Sequence, residues 1–106
     1  MKILLVNLPR FTDNAPLARE ECALGPCFAL PIPNMLMNTA AALAGTAETA
    51  LFDAAAANAD FNRIAGEIDA CNPDAVICTI LNYTISYEKK IAEICASKGV
   101  PCIAIP

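Results

Sequence analysis

Apolar and polar positions follow one another along this chain in blocks that suit strands and helices in turn. Lys2–Asn7 (KILLVN) is a nearly continuous apolar run, as expected for a strand buried on both faces of a parallel sheet. After a long intervening segment, Pro33-Asn34 opens a helix that ends near Gly45, with Leu36, Ala40, Leu43 and Ala44 on its inward face. Glu48–Asp53 (ETALFD) reads as a second strand. Asp60 is an N-cap for a second helix that runs to about Cys71, with an apolar stripe of Phe61, Ile64, Ala65, Ile68 and Cys71. Asn72-Pro73-Asp74 stops that helix and leads into a third strand, Ala75–Leu81 (AVICTIL). A third helix, from roughly Thr84 to Ser97, buries Tyr87, Ile91, Ile94 and Cys95 and exposes Glu88, Lys89, Lys90 and Glu93. Lys98-Gly99 closes it, and Val100–Ile105 (VPCIAI) is a fourth strand.

The order βαβαβαβ implies an α/β fold: a parallel sheet with right-handed crossovers and helices on both faces. A flavodoxin-like strand order, 2-1-3-4, sets strands one and three side by side at the switch point, where a ligand belongs at their carboxyl ends. Those ends are Asn7–Arg10 and Thr79–Tyr83. The segment Phe11–Pro33, with prolines at 16, 26, 31 and 33, leaves the first of them. Connections longer than about 12–15 residues are usually functional or disordered, so this one is expected to help form the site.

Composition narrows the picture. At 106 residues the chain is one domain, and it stops as the fourth strand ends. A complete fold of this type usually has a fifth strand, so residues 1–106 are expected to be the amino-terminal part of a longer protein. A net charge of −4 without a basic patch argues against nucleic acid as a partner. Phe28–Gly45, the most apolar region, is interrupted by Pro31, Pro33, Asn34 and Asn38, so no membrane span is expected. The amino terminus lacks the pattern of a signal peptide, which points to the cytoplasm and to reduced thiols. The six cysteines (22, 27, 71, 78, 95 and 102) include no CxxC, and the chain has no histidine. Zinc binding would therefore need four thiolates from distant places. Cys78, Cys95 and Cys102 fall on apolar faces, as small core residues do.

Several chemistries of this fold are excluded. Leu8-Pro9-Arg10-Phe11 stands where a dinucleotide site needs GxGxxG and a flavin site a Ser/Thr/Gly-rich turn. No acidic pair follows strand one, and no Asp ends strand three, as a phosphoacceptor domain requires. Thioredoxin-like chemistry needs the missing CxxC.

The succession MKILLVNLPR, a variable loop, PIPNMLMNTAAALAG, ALFDA, NPDAVICTILNYT and KGVPCIAIP resembles the amino-terminal cobalamin (B12)-binding domain of B12-dependent radical S-adenosylmethionine enzymes. The likeness spans essentially the whole chain. It implies a corrinoid over the carboxyl edge, with its nucleotide tail beside strand three. The Ser/Thr-x-Leu motif that contacts the tail is matched by Thr79-Ile80-Leu81, with Asn82 and Tyr83 next to it. Asn7, Pro9 and Arg10 correspond to positions near the lower face of the ring. With no histidine, the cobalamin would be His-off. The Gly-Gly that often ends the fourth or fifth strand in that family is Ala104-Ile105-Pro106 here. The CxxxCxxC motif is missing as well, so the resemblance places the 4Fe–4S cluster and S-adenosylmethionine in a downstream domain of the same chain. The implied activity is methyl transfer or radical rearrangement by the parent enzyme, with this domain supplying binding rather than reactive side chains. The alternative is a non-catalytic docking or oligomerisation module of the same fold that has lost cobalamin. An exposed fourth strand would let such a module form a homodimer.

Overall fold

β1 (Lys2–Asn7) lies inside the sheet, and its side chains serve two cores. A computed structural model of the chain describes residues 1–9, 33–57, 59–79 and 85–106. Leu4 and Val6 point to one face and Ile3 and Leu5 to the other, all buried. The period-2 alternation of a strand makes both rows apolar, which is why the run reads as continuous in the sequence.

The remaining described elements are α1 (Asn34–Leu43), β2 (Glu48–Asp53), α2 (Phe61–Cys71), β3 (Ala75–Thr79), α3 (Ile85–Ser97) and β4 (Cys102–Ile105). The four strands form one parallel sheet in the order β2-β1-β3-β4, as the alternation of strands and helices predicts. Leu4 faces Ala50 of β2 and Val76 of β3. α2 and α3 cover one face, where Ile64, Ile68, Ile91 and Cys95 meet Leu4, Val6 and Val76. α1 covers the other, where Leu36 meets Ile3, Leu5 and Ile77.

Local signals set the helix ends. The Asp60 carboxylate accepts the Arg63 N–H at 2.9 Å and caps α2, and Asn72 ends that helix in the left-handed region at φ 49°. Gly99, at φ 71°, ends α3: the Gly99 N–H is donated to Ala96 O and the Val100 N–H to Cys95 O, the paired bonds of a Schellman motif. That turn explains why β4 starts at Cys102 rather than Val100. The Val100 N–H is engaged with the helix end and Pro101 has none to give. The expected end of the third strand, Ile80-Leu81, lies outside the described residues.

Two side chains depart from the pattern read in the sequence. Glu88, expected to face water, is only 5% exposed. It stands three residues before Ile91 and seven before Cys95, so the helical period carries it onto the inward row. Ala44, expected on the inward face of the first helix, is exposed because the helix closes at Leu43 and Ala44 is already its C-cap, in extended conformation. No described helix is long and apolar enough to cross a membrane.

Candidate functional site

The carboxyl edge is where β1 and β3 deliver their polar ends. β1 changes from Val6 to Asn7 and β3 from Cys78 to Thr79, each at its last residue. Val6 pairs with Cys78, so Asn7 and Thr79 stand at the same level on adjacent strands. Asn7 pairs with Asp53 on the other side, and Thr79 with Ile105. Parity along each strand puts all four residues on the face covered by α1, since Ile3, Leu5, Leu51, Ile77 and Ile105 belong to that core. The sheet thus ends in a lateral row, Asp53-Asn7-Thr79-Ile105, in which three neighbouring positions are polar.

The row is internally bonded. Asn7 Nδ2 donates to Asp53 Oδ1 at 2.9 Å, and the same oxygen accepts the Ala56 N–H at 3.2 Å. Asp53 is therefore both a strand-end cap and a partner of the candidate site. Asn7 is 1% exposed and Thr79 3%. The Oδ1 of Asn7 is buried and, among the described residues, accepts no hydrogen bond. A buried amide oxygen without a donor costs roughly 1–3 kcal/mol, so this atom marks a demand for an N–H or O–H at the edge.

Pro9, two residues on, is buried, as is Leu8 between them. Because α1 runs back against the direction of β1, its first turn lies toward this same edge, and Pro33 offers no side-chain cap to its N–H groups. Of the residues singled out in the sequence, Asn7 and Thr79 are brought side by side and Pro9 is placed next to Asn7. Arg10, Leu81, Asn82 and Tyr83 lie outside the described residues.

Sequence reasoning took Asp53 only as the last residue of the second strand and so missed its bond with Asn7. The available signal was that β1 and β2 both end in a polar residue after an apolar run. Equal strand lengths and register bring the two together. Among the described residues, two open grooves lie elsewhere. One, at the amino edge, is lined by Met1, Lys2, Glu48 and Asp74. The other, between α2 and α3, is lined by Phe61, Lys90 and Ile94. In the second, Lys90 Nζ sits 5.1 Å from the Phe61 ring centre and 5.8 Å from that of Tyr87, so the cation covers apolar surface instead of leaving it open.

Among the described residues no cluster of three His, Cys, Asp or Glu side chains is placed to hold a metal ion. No protein-family model, curated protein or solved structure matches the chain.

Proposed function

We propose that the carboxyl edge binds a corrinoid, cobalamin, and that the chain is the cobalamin-binding part of a radical S-adenosylmethionine enzyme. The observation that carries this reading is the buried Oδ1 of Asn7, without a donor among the described residues, level with Thr79 at the end of the neighbouring strand. The residues fit the group. The rim of a corrin ring bears amide side chains, whose N–H groups are the donors that Asn7 Oδ1 lacks. The Thr79 hydroxyl can donate or accept toward the nucleotide tail. Asp53 holds the Asn7 amide by its Nδ2, which fixes which end of the amide is offered to a ligand.

Bound cobalamin would supply a cobalt centre that carries a methyl group or assists a radical step. The chain's own residues bind and orient. Asn7 accepts from a ring amide, Thr79 engages the tail, and Pro9 gives an apolar contact without an N–H of its own. Since the chain contains no histidine, it offers no imidazole to cobalt, and the base-off, His-off form is the one expected. The iron–sulfur cluster and S-adenosylmethionine belong to a partner domain carrying CxxxCxxC.

The test is direct. The protein is mixed with hydroxocobalamin, desalted and scanned in the visible region. Retained absorbance, with a band position indicating the base-off state, is the expected result. Colourless protein at micromolar concentration overturns the proposal. A second reading, a docking module without cobalamin, draws on one observation: β4 is an edge strand and its Ile103 is 48% exposed. Colourless protein that sediments as a dimer would favour it.

A further inference from the structure

The side-chain amide of Asn7 can stand in only one sense. Its Nδ2 donates to Asp53 Oδ1 at 2.9 Å, and an ionised carboxylate has no hydrogen to give. Turned end for end, the amide would set its own oxygen against that carboxylate. The carboxylate is itself steadied, because the same oxygen accepts the Ala56 N–H at 3.2 Å. Register brings the two residues together, since Asn7 and Asp53 pair at the last positions of β1 and β2. The amide is therefore oriented from the β2 side. Its buried Oδ1 is the end left for a ligand, and among the described residues it accepts no hydrogen bond. From this placement we propose that the Asp53–Asn7 pair sets the specificity of the carboxyl edge: it takes a primary amide of the ligand and rejects a carboxylate in the same place. The inference rests on the corrinoid reading above, and its consequence there is that the chain selects corrinoids whose rim groups are amidated.

Two effects act in the same direction. A primary amide brings N–H groups to Asn7 Oδ1, whereas a carboxylate brings only lone pairs and leaves that oxygen without a donor. Asn7 is 1% exposed, so water does not make good the loss. A ligand carboxylate also adds a second negative charge one hydrogen-bonded amide away from Asp53, and the burial of Asn7 between them weakens the screening. The N-terminal end of α1 acts the other way. It lies toward the same edge and has neither a side-chain cap nor an acidic residue in its first turn. Such an end attracts anions, but it amounts to only about half a unit of positive charge. The full charge of Asp53 outweighs it. A primary amide satisfies both, with its carbonyl toward the helix end and its N–H toward Asn7.

In this scheme Asp53 is a positioning residue that acts through Asn7. Asp53→Asn keeps the shape and removes the charge. Because the new amide can present either an oxygen or an NH2 group, it no longer imposes one orientation on Asn7. The variant should therefore lose selectivity rather than simply lose affinity.

The test compares hydroxocobalamin with the corrin monocarboxylates that mild acid hydrolysis yields, each with one rim amide turned into a carboxylate. The longer amide arms of the corrin project toward its lower face, the face expected over Asn7, and these are the ones that such hydrolysis converts. Each corrinoid is titrated into the full chain near neutral pH, and affinity is read from the visible spectrum. The wild type should bind at least one monocarboxylate about tenfold or more weakly than hydroxocobalamin, and Asp53→Asn should narrow that gap several-fold. The wild-type comparison decides the selectivity whether or not the variant folds. Wild type that binds every monocarboxylate as tightly as hydroxocobalamin overturns the selectivity and leaves the corrinoid reading in place. A gap that survives unchanged in Asp53→Asn overturns the role of Asp53. Protein that retains no hydroxocobalamin overturns the corrinoid reading, and this inference with it.

Discussion

Asn7→Asp probes the carboxyl edge most sharply. In the wild type Asn7 Nδ2 donates to Asp53 Oδ1 at 2.9 Å. The substitution keeps the shape, removes that donor and sets two carboxylates against each other. Losing a hydrogen bond to a charged acceptor costs about 1.5–3 kcal/mol. Two ionised groups about 4 Å apart repel by about 4 kcal/mol at an effective dielectric near 20, an upper bound because the pair can share a proton instead. Asp53 is half-buried and water screens part of the repulsion, so the expected loss near pH 7.5 is about 2–4 kcal/mol.

The pH dependence has a definite sign. Proximity raises the folded-state pKa of the introduced pair above the ordinary value of about 3.9. With a raised folded pKa, the pair is tolerated while protonated, and its penalty appears as pH rises through that value. Relative to wild type at each pH, the variant should therefore lose about 1–2 kcal/mol more near pH 7.5 than near pH 4.5, taking 1.36 kcal/mol per pKa unit. Urea unfolding followed by circular dichroism measures both. With a slope of about 1 kcal/mol per molar, the midpoint should fall by about 2 M or more at the higher pH. Asn7→Leu, which removes the donor without adding charge, should destabilise with no such pH dependence. An Asn7→Asp midpoint within about 0.3 M of wild type near pH 7.5, or a loss that does not change with pH, would refute the paired edge.

Four further substitutions test the fold. Leu36 is the fully buried contact of α1, so Leu36→Ala should cost about 2–5 kcal/mol in urea unfolding, whereas Met37→Ala, on the exposed side of the same helix, should stay within about 0.5 kcal/mol. Asp60→Ala removes the acceptor of the Arg63 N–H and should lower stability by about 1 kcal/mol, with amide exchange rising first in the opening turn of α2. Gly99→Ala should cost about 1–2 kcal/mol, because φ is 71° there and a Cβ is strained even though it would meet no atom; unchanged thermal unfolding would show that the turn adapts.

Much of the fold could be read directly from the residues. The apolar runs of β1 and β3 and the stripe Phe61-Ile64-Ala65-Ile68-Cys71 identify their elements because burial has different periods in strand and helix. Gly99, Asn72 and Asp60 mark boundaries because their local conformations and bonds depend on few neighbours. The site was half legible. Asn7 and Thr79 stand out as polar residues at the ends of buried strands, and the topology rule makes those strands neighbours. The Asn7–Asp53 bond was not legible, since it depends on the register of two strands separated by 46 residues. Glu88 was assigned by its charge, although its helical position is an inward one.

The chain by itself determined its elements, their order and, through the handedness of crossovers, the parallel sheet, because these follow from local propensity, periodicity and a small set of permitted connections. Only the tertiary structure decided which polar atoms meet. Asn7 against Asp53, and the oxygen of Asn7 that finds no donor among the described residues, both depend on register and helix seating. Those are set by the packing of the whole core, where a shift of one residue would send each of these strand side chains to the opposite face.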